Sequence, residues 1–127
     1  MILIDTDVLI DASRGVWAAM ETLRDLHEVE ELAISAVSQM ELIVGCRSKW
    51  ELSAIDELCS WFRVIHIDER MSNHAIGLLT RYRLSHGLAL PDALIAASAI
   101  FRALPLLSKN QKHFRFIPEL MLLSYPN

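Results

Sequence analysis

The sequence predicts an α/β fold: a three-layer α/β/α domain around a central, mostly parallel sheet. Short apolar runs alternate with longer stretches of helical periodicity along the 127 residues, and strands that alternate with helices usually form a parallel sheet covered on both faces. The first run, MILID, is continuously apolar, which is typical of a central strand. No linker, repeat or low-complexity segment is visible, so we expect one domain over residues 1–127.

The first half of the chain contains two predicted strands and four predicted helices. We expect Thr6 or Asp7 to cap a short helix that Gly15 ends. The second strand is predicted at 32–35. Apolar residues at helical spacing predict three further helices, which cover 16–28, the segment around 40–44, and 50–61. The three tryptophans of this half are expected in the core or between helices, with a groove that binds a partner as the alternative: Trp17, Trp50 and Trp61.

The second half alternates in the same way. Its predicted strands cover 63–67, 104–108 and 120–124. A long helix over 69–86 is closed by Gly87, because glycine readily adopts the left-handed conformation that ends helices. Pro91, at a first helical position, starts a helix of small residues that is apolar almost all round and is therefore expected to be buried.

The composition restricts the class of protein. Hydrophobic residues make up 53% of the chain and the mean hydropathy is +0.30, which is high for so small a domain and predicts an apolar surface that meets a partner. No stretch reaches the roughly 20 apolar residues of a membrane helix. Asp5 and Asp7 interrupt the N-terminus before a signal-peptide core could form. We therefore expect a cytoplasmic protein that does not enter a membrane.

The net charge of −4 does not exclude RNA as a ligand. Four of the 16 acids are candidates for a functional site, and the remaining 12 balance the 12 lysines and arginines. Nine of these cations are arginines, whose planar guanidinium suits phosphate contacts. The charge disfavours only a strongly electrostatic, sequence-blind binder.

Polar residues follow several of the apolar runs and are widely separated in the chain. They are Asp5 with Asp7, Glu41, Asp92 and Asn110. Ligands of open α/β sheets bind outside the carboxyl ends of the strands, so side chains placed there can converge. Converging acids repel one another unless a cation or a shared proton offsets the repulsion. The pattern therefore predicts a divalent-metal site.

Each of these residues also has a structural explanation. Asp7 would serve as a helix N-cap, and Asp92 would lie in a first turn, where the helix dipole favours negative charge. Glu41 completes a Ser-x-x-Glu capping box with Ser38. Asn110 is an ordinary turn residue. The aspartate that ends the first strand is different, because a carboxylate there is costly unless it is paired or coordinated.

Four blocks, taken together and in order, resemble PIN-domain ribonucleases, in particular the VapC-like toxins of type II toxin–antitoxin pairs. The blocks are ILIDTDVLID at 2–11, ISAVSQMELIVG at 34–45, LPDALIAASAI at 90–100 and LLSKNQKHF at 106–114. The resemblance implies a PIN-like fold and an Mg²⁺- or Mn²⁺-dependent endoribonuclease that cuts structured RNA such as tRNA or rRNA. It also implies a homodimer, and a cognate antitoxin that lays a segment over the active-site groove.

The resemblance carries over to individual residues. Asp5, Glu41 and Asp92 match the invariant acids of the family, and Asn110 stands at a fourth position that is often aspartate. Asp7 occupies a place usually held by a small polar residue. We assign Asp5 and Asp92 as metal ligands, Glu41 as a ligand or as the group that positions the attacking water, and Asn110 as a neutral or outer-shell ligand.

Three alternative functions remain open. The Asp-Thr-Asp stretch is similar to the start of haloacid-dehalogenase-type phosphatases, although the chain has no later paired-acid block. A receiver domain would use Asp5, Asp7 and Lys109, but its phosphoacceptor should end the third strand, whereas Asp56 lies within a predicted helix. A PIN-like module that binds RNA without cleaving it is the third alternative.

Overall fold

The computed structural model describes residues 1–126. It contains five strands, six α-helices and one short 3₁₀ helix over that range. In chain order these are β1 (Ile2–Ile4), α1 (Thr6–Ser13), α2 (Trp17–Val29), β2 (Leu32–Ser35), α3 (Ala36–Val44), α4 (Lys49–Cys59), β3 (Arg63–Ile65), α5 (Glu69–His86), α6 (Leu90–Phe101), β4 (Leu106–Ser108), the 3₁₀ helix (Gln111–His113) and β5 (Leu122–Ser124).

The five strands form one sheet in the order β3-β2-β1-β4-β5. Every neighbouring pair is parallel, so all five carboxyl ends lie at the same edge. The apolar first run forms the central strand, as predicted, and Leu3 and Ile4 are fully buried. The segments that follow β1 and β4 are therefore adjacent at this edge.

Helices cover both faces of the sheet. Alternate residues of each strand point to opposite faces, so the apolar strands contribute to a core on each side. Ile2 and Ile4 of β1 belong to a core formed with residues of α1, α2 and α4. Leu3 belongs to the other core, which is built largely from α5 and α6. This arrangement confirms the predicted three-layer α/β/α fold.

Local capping sets the limits of the longest helix, which occupies the predicted range. The Asp68 carboxylate accepts a hydrogen bond of 2.9 Å from the backbone N–H of Met71 at the start of α5. Gly87 ends the helix in the left-handed conformation, with φ of 69°. The next helix, α6, begins at Leu90, one residue before the predicted start, with Pro91 in its first turn.

Several predicted strands are too long by two residues. In β3, for example, the predicted range 63–67 is shortened to Arg63–Ile65. Within residues 1–126, β3 pairs only with β2, which ends at Ser35, and Ser35 is paired with Ile65. Ile67 therefore has no opposing strand residue, although it still packs against the core.

The predicted position of the tryptophans in the core is wrong, because Trp17, Trp50 and Trp61 are 67%, 83% and 62% exposed. The alternative, a groove that binds a partner, stays a prediction. Trp50 lies five positions before the buried Ile55 of α4, about 140° around the helix, and so faces away from the core.

Within residues 1–126 no helix is both long enough and apolar enough to cross a membrane.

Candidate active site at the carboxyl ends of the central strands

Asp5 follows β1 directly and is only 4% exposed. One carboxylate oxygen accepts a hydrogen bond from the backbone N–H of Thr6 and the other accepts one from the Ser108 hydroxyl, both at 2.8 Å. Asp5 is thus the N-cap of α1, and the prediction of Thr6 or Asp7 in this role is wrong. Burial, followed by the negative charge of Asp7, raises the pKa of Asp5 to about 8.

Asp7, in the first turn of α1, holds the loop that follows β4. Its Oδ2 accepts a hydrogen bond of 2.9 Å from the backbone N–H of Asn110. The backbone N–H of Lys109 and the hydroxyl of Ser108 lie farther away, each 3.4 Å from a carboxylate oxygen. Asp7 therefore joins two strand ends that are separated by about a hundred residues of sequence.

Glu41 reaches the same edge of the sheet from α3. Its Oε1 accepts a hydrogen bond of 2.8 Å from the hydroxyl of Thr6, and the Ser38 hydroxyl also lies 2.8 Å from the Thr6 oxygen. Ser35, not Ser38, caps α3. The capping-box explanation of Glu41 is therefore wrong, since both members of the box bind Thr6 instead.

Asp92 lies in the first turn of α6, with its side chain 20% exposed. Burial raises the pKa of Asp92 to about 6; His113 opposes this rise, and the negative charges of Glu41 and Asp7 add to it. The Nδ1 atom of His113 is 3.4 Å from a carboxylate oxygen of Asp92. Asp92 also contributes to the raised pKa of Asp5, so Asp92 interacts electrostatically with each of the other three acids.

Asn110 reaches the site through its backbone. Its N–H donates to Asp7 and, at 3.2 Å, to the hydroxyl of Ser108. The residue itself is exposed, and its side-chain amide forms no hydrogen bond with any other part of residues 1–126. The predicted role of this side chain as a neutral ligand stays a prediction.

Three hydroxyl residues at the site are absent from the sequence-based candidates: Thr6, Ser38 and Ser108. All three are buried and hydrogen-bonded to a site acid or to one another. Ser108 could have been found from the sequence, because it is a polar residue at the end of an apolar strand, as Asp5 is. Thr6 and Ser38 offered no comparable signal, because hydroxyl residues are common at helix starts.

A family model, the PIN domain, matches residues 2–119. The chain belongs to the PIN-domain family. Among curated proteins, this PIN domain is 41% identical to Ribonuclease VapC10 of Mycobacterium tuberculosis over 94% of the chain and 90% of the relative. It is 38% identical to Ribonuclease VapC19 of the same organism, over 94% of the chain and 97% of the relative. The phosphatase and receiver-domain alternatives are therefore wrong.

Solved structures share the fold of this PIN domain. A toxin–antitoxin complex from Klebsiella pneumoniae contains a chain of 30% identity and a TM-score of 0.80, with 97% of this chain and 96% of that one covered. VapBC2 from Rickettsia felis, bound to a DNA fragment from its promoter, gives a TM-score of 0.83 at 23% identity, with 98% and 99% covered. The second likeness concerns the fold alone.

The donor set of the PIN domain suits a hard divalent cation. Four carboxylates and the hydroxyls of Thr6 and Ser108 present oxygen atoms, which Mg²⁺ and Mn²⁺ prefer. Within residues 1–126 no lysine or arginine side chain pairs with the four acids, and Lys109 instead pairs with Asp11 at 3.2 Å. Burial is the main cause of the raised pKa values of Asp5 and Asp92, and the negative charges of neighbouring acids raise them further.

The acids are close enough to interact but do not form a ready-made coordination cage. Over the described range, no three His, Cys, Asp or Glu side chains converge as a preformed metal-binding group. Asp5 and Glu41 use carboxylate oxygens in hydrogen bonds to protein donors. The ligand set of Asp5, Glu41 and Asp92 consequently stays a prediction.

Proposed function

We propose that this PIN domain is an Mg²⁺- or Mn²⁺-dependent endoribonuclease toxin that hydrolyses phosphodiester bonds of structured RNA, either tRNA or rRNA. The observation that carries the proposal is the cluster of four acids at the carboxyl ends of β1 and β4, two of them with raised pKa values, without a paired lysine or arginine over residues 1–126. The ribonuclease names of relatives up to 41% identical support the reaction class.

Asp5, Asp92 and Glu41 are the residues that would hold the cation, and Asp7 would add negative charge beside them. A bound Mg²⁺ or Mn²⁺ supplies charge neutralisation at the scissile phosphate and lowers the pKa of a water nucleophile. Hydrogen bonds within the protein fix the orientation of two of these acids. Ser108 and the Thr6 N–H fix the two oxygens of Asp5, and the Thr6 hydroxyl fixes one oxygen of Glu41.

The experiment that tests this activity follows cleavage of purified tRNA and rRNA with Mg²⁺ and with EDTA. Asp92→Asn removes a carboxylate but keeps its shape, so we expect it to fold and to lose cleavage. Asp56→Asn is the matched control, because this exposed aspartate of α4 lies outside the cluster. Cleavage in EDTA equal to that in Mg²⁺, or full activity of Asp92→Asn, would contradict the proposal.

An inactive PIN-like module that only binds RNA gives a different result in the same experiment. It would bind tRNA or rRNA without any metal-dependent cleavage, and Asp92→Asn would then leave RNA binding intact. The preorganised contacts of Asp5 and Glu41 favour the enzyme, because an RNA-binding surface gains nothing from buried carboxylates that repel phosphate.

A cognate antitoxin is the partner we propose for an apolar groove between α2 and α4. A cavity of about 360 Å³ is lined there by aromatic and aliphatic side chains that include Trp17, Met20, Trp61 and Phe62. A second groove, of about 800 Å³, contains Glu41 and shares Met20 and Trp61 with the first. One antitoxin segment could therefore extend from the apolar groove to the acid cluster.

Two exposed tryptophans provide a matched test of this partner. Trp61 lines both grooves, whereas Trp50 lines neither. We expect the protein to arrest growth when expressed alone, and the product of an adjacent small reading frame to relieve the arrest. Trp61→Glu should stay toxic but escape relief, and Trp50→Glu should be relieved like the wild type. Equal relief of both variants would place the antitoxin elsewhere.

We further propose that the protein forms a homodimer in the cytoplasm. Met40, Ile43 and Val44 form an exposed apolar stripe on α3, at positions that share one helix face. Such a stripe suits a two-fold contact in which the same surface meets itself. Light scattering should give twice the monomer mass of 14.4 kDa, and a Val44→Glu variant should reduce it to the monomer value.

A further inference from the structure

Two segments beside Asp92 are basic although the whole chain is acidic. The segments 81–91 and 109–118 contain five of the 12 lysines and arginines, two histidines and no aspartate or glutamate. The first segment leads into the first turn of α6, which carries Asp92. The second contains His113, whose Nδ1 lies 3.4 Å from Asp92. Positive charge therefore borders the acid cluster on this side.

Only some of these basic side chains form contacts within the protein. Arg83 donates hydrogen bonds of 3.1 Å to the carbonyls of Gly87 and Leu88, and so fixes the turn between α5 and α6. Lys112 and Arg115 are exposed, and neither forms an ion pair within residues 1–126. Both side chains are therefore available for contacts with an anionic ligand, such as the phosphates of a nucleic acid.

An exposed imidazole ring lies in the same region and is held in a fixed orientation. The His86 ring stacks on Phe116, with centroids 4.3 Å apart and planes inclined by 19°. The edge contact with Tyr82 has a centroid distance of 5.7 Å, and the Ser85 hydroxyl is 2.7 Å from His86 Nδ1. An exposed ring that is already ordered loses little further entropy when a flat ligand stacks on it.

Two short chain segments connect the surroundings of the ring to the acid cluster. Phe116 follows His113 by three residues, which span at most about 10 Å even when fully extended, and His113 contacts Asp92. On the other side, the turn fixed by Arg83 joins His86 to the start of α6. One RNA strand could therefore contact both Asp92 and His86.

We infer that His86 is a stacking platform for an unpaired base of the RNA substrate, next to the cleaved phosphate, and that Lys112 and Arg115 bind the adjoining backbone. The inference rests on the proposed ribonuclease function. Aromatic rings that stack on bases, together with basic side chains that bind phosphates, are the common recognition elements for single-stranded RNA. The platform would require an unpaired nucleotide beside the cleavage site within an otherwise structured RNA.

Binding of a short, 2′-O-methylated single-stranded oligoribonucleotide, followed by fluorescence anisotropy in EDTA, tests the platform without cleavage. We expect His86→Ala to weaken binding by roughly fivefold or more, which is the lower range for loss of one stacked base. His86→Phe should bind like the wild type, because the ring is kept. His86→Lys should bind as weakly as His86→Ala. His66→Ala, at another exposed histidine, is the control and should bind normally.

Cleavage kinetics of the same variants separate this inference from the proposed function. If the wild type cleaves RNA and His86→Ala raises KM with little change in kcat, the result supports both the stacking platform and the ribonuclease function. If the wild type cleaves RNA but His86→Ala changes neither binding nor KM, the platform alone is wrong. Stronger binding by His86→Lys than by His86→Phe would show a charge contact and overturn stacking. Loss of the dimer in His86→Ala, with unchanged oligonucleotide binding, would assign the ring to a protein contact instead.

Discussion

Ser108 donates a hydrogen bond of 2.8 Å to Asp5, although 103 residues separate them in the chain. Both side chains are buried, and they lie at the carboxyl ends of two neighbouring parallel strands. The bond stabilises the charged form of Asp5 and lowers its pKa, against the stronger effect of burial. The Ser108 hydroxyl, which is positioned by the end of β4, thus affects the protonation of Asp5 in the proposed metal site.

Ser108→Ala should destabilise the protein and reduce RNA cleavage together. Removing the donor leaves a buried carboxylate oxygen without a short hydrogen bond, which costs about 1–3 kcal/mol of unfolding free energy. Urea unfolding measures this loss. Ser124→Ala is a matched control, because Ser124 is the register partner of Ser108 on β5 but is exposed. Equal stability of the two variants would show that the Ser108 bond contributes nothing.

The metal-free protein should become less stable as the pH rises. The folded chain retains a proton on Asp5 up to about pH 8 and on Asp92 up to about pH 6, whereas the unfolded chain releases both near pH 4. The folded state therefore binds more protons across this window, and stability falls on the order of 1 kcal/mol per pH unit where one group differs. Urea unfolding in EDTA at a series of pH values measures the slope.

Asp5→Asn provides the control for this pH dependence. The amide cannot titrate, so the slope between pH 6 and pH 8 should largely disappear while the contribution of Asp92 at lower pH stays. Excess Mg²⁺ should also flatten the wild-type slope if the cation binds the charged acids. A wild-type slope that survives Asp5→Asn would assign the titration to another group.

The sequence predicted the layers of this fold well because they depend on local chemistry. The limits of α5 follow from a capping aspartate and a closing glycine, both of which act within one helical turn. Strand ends were less predictable, since they depend on the partner strand: β3 stops where β2 stops. The sequence left two positions open for Trp61, the core and a partner groove, because apolar periodicity does not distinguish a filled core from an open groove.

The acids of the candidate site were also predictable, but their supports were not. Asp5 ends an apolar strand, where a carboxylate needs a specific explanation. Thr6 and Ser38 are ordinary helix-start residues in the sequence, and only the crossing of α1 and α3 brings their hydroxyls to 2.8 Å. For Asn110 the sequence points to the side chain, whereas the structure uses the backbone N–H, a donor that every residue except proline possesses.

Thr6→Val should reduce kcat more than it raises KM for RNA. Valine keeps the shape of this buried side chain but cannot donate to Glu41, so Glu41 loses its fixed orientation. Thr6→Ser keeps the hydroxyl and should retain most of the activity. Steady-state cleavage kinetics compare the two variants, and circular dichroism confirms folding. Equal kcat values for Thr6→Val and Thr6→Ser would rule out this orienting role.

Asn110→Pro should reduce both stability and cleavage, whereas Asn110→Ala should be mild. Proline removes the N–H that donates to Asp7 at 2.9 Å, and a hydrogen bond to a charged group is worth about 1.5–3 kcal/mol. Alanine keeps this N–H and deletes only the exposed amide. Urea unfolding and an RNA cleavage assay measure the two effects. If alanine is as harmful as proline, the side chain and not the backbone carries the function of this residue.

Asn110→Asp should lower the Mn²⁺ concentration required for half-maximal cleavage. An amide oxygen can coordinate a cation but adds no net charge, whereas an aspartate would add a fourth full carboxylate to the proposed set of Asp5, Glu41 and Asp92. Asn110→Ala should correspondingly cost less activity than Asp5→Ala, because it removes no charge. Mn²⁺ titrations of the three variants on one RNA decide the matter. An unchanged midpoint for Asn110→Asp, with Asn110→Ala as inactive as Asp5→Ala, would show that the amide positions the scissile phosphate and does not support the cation.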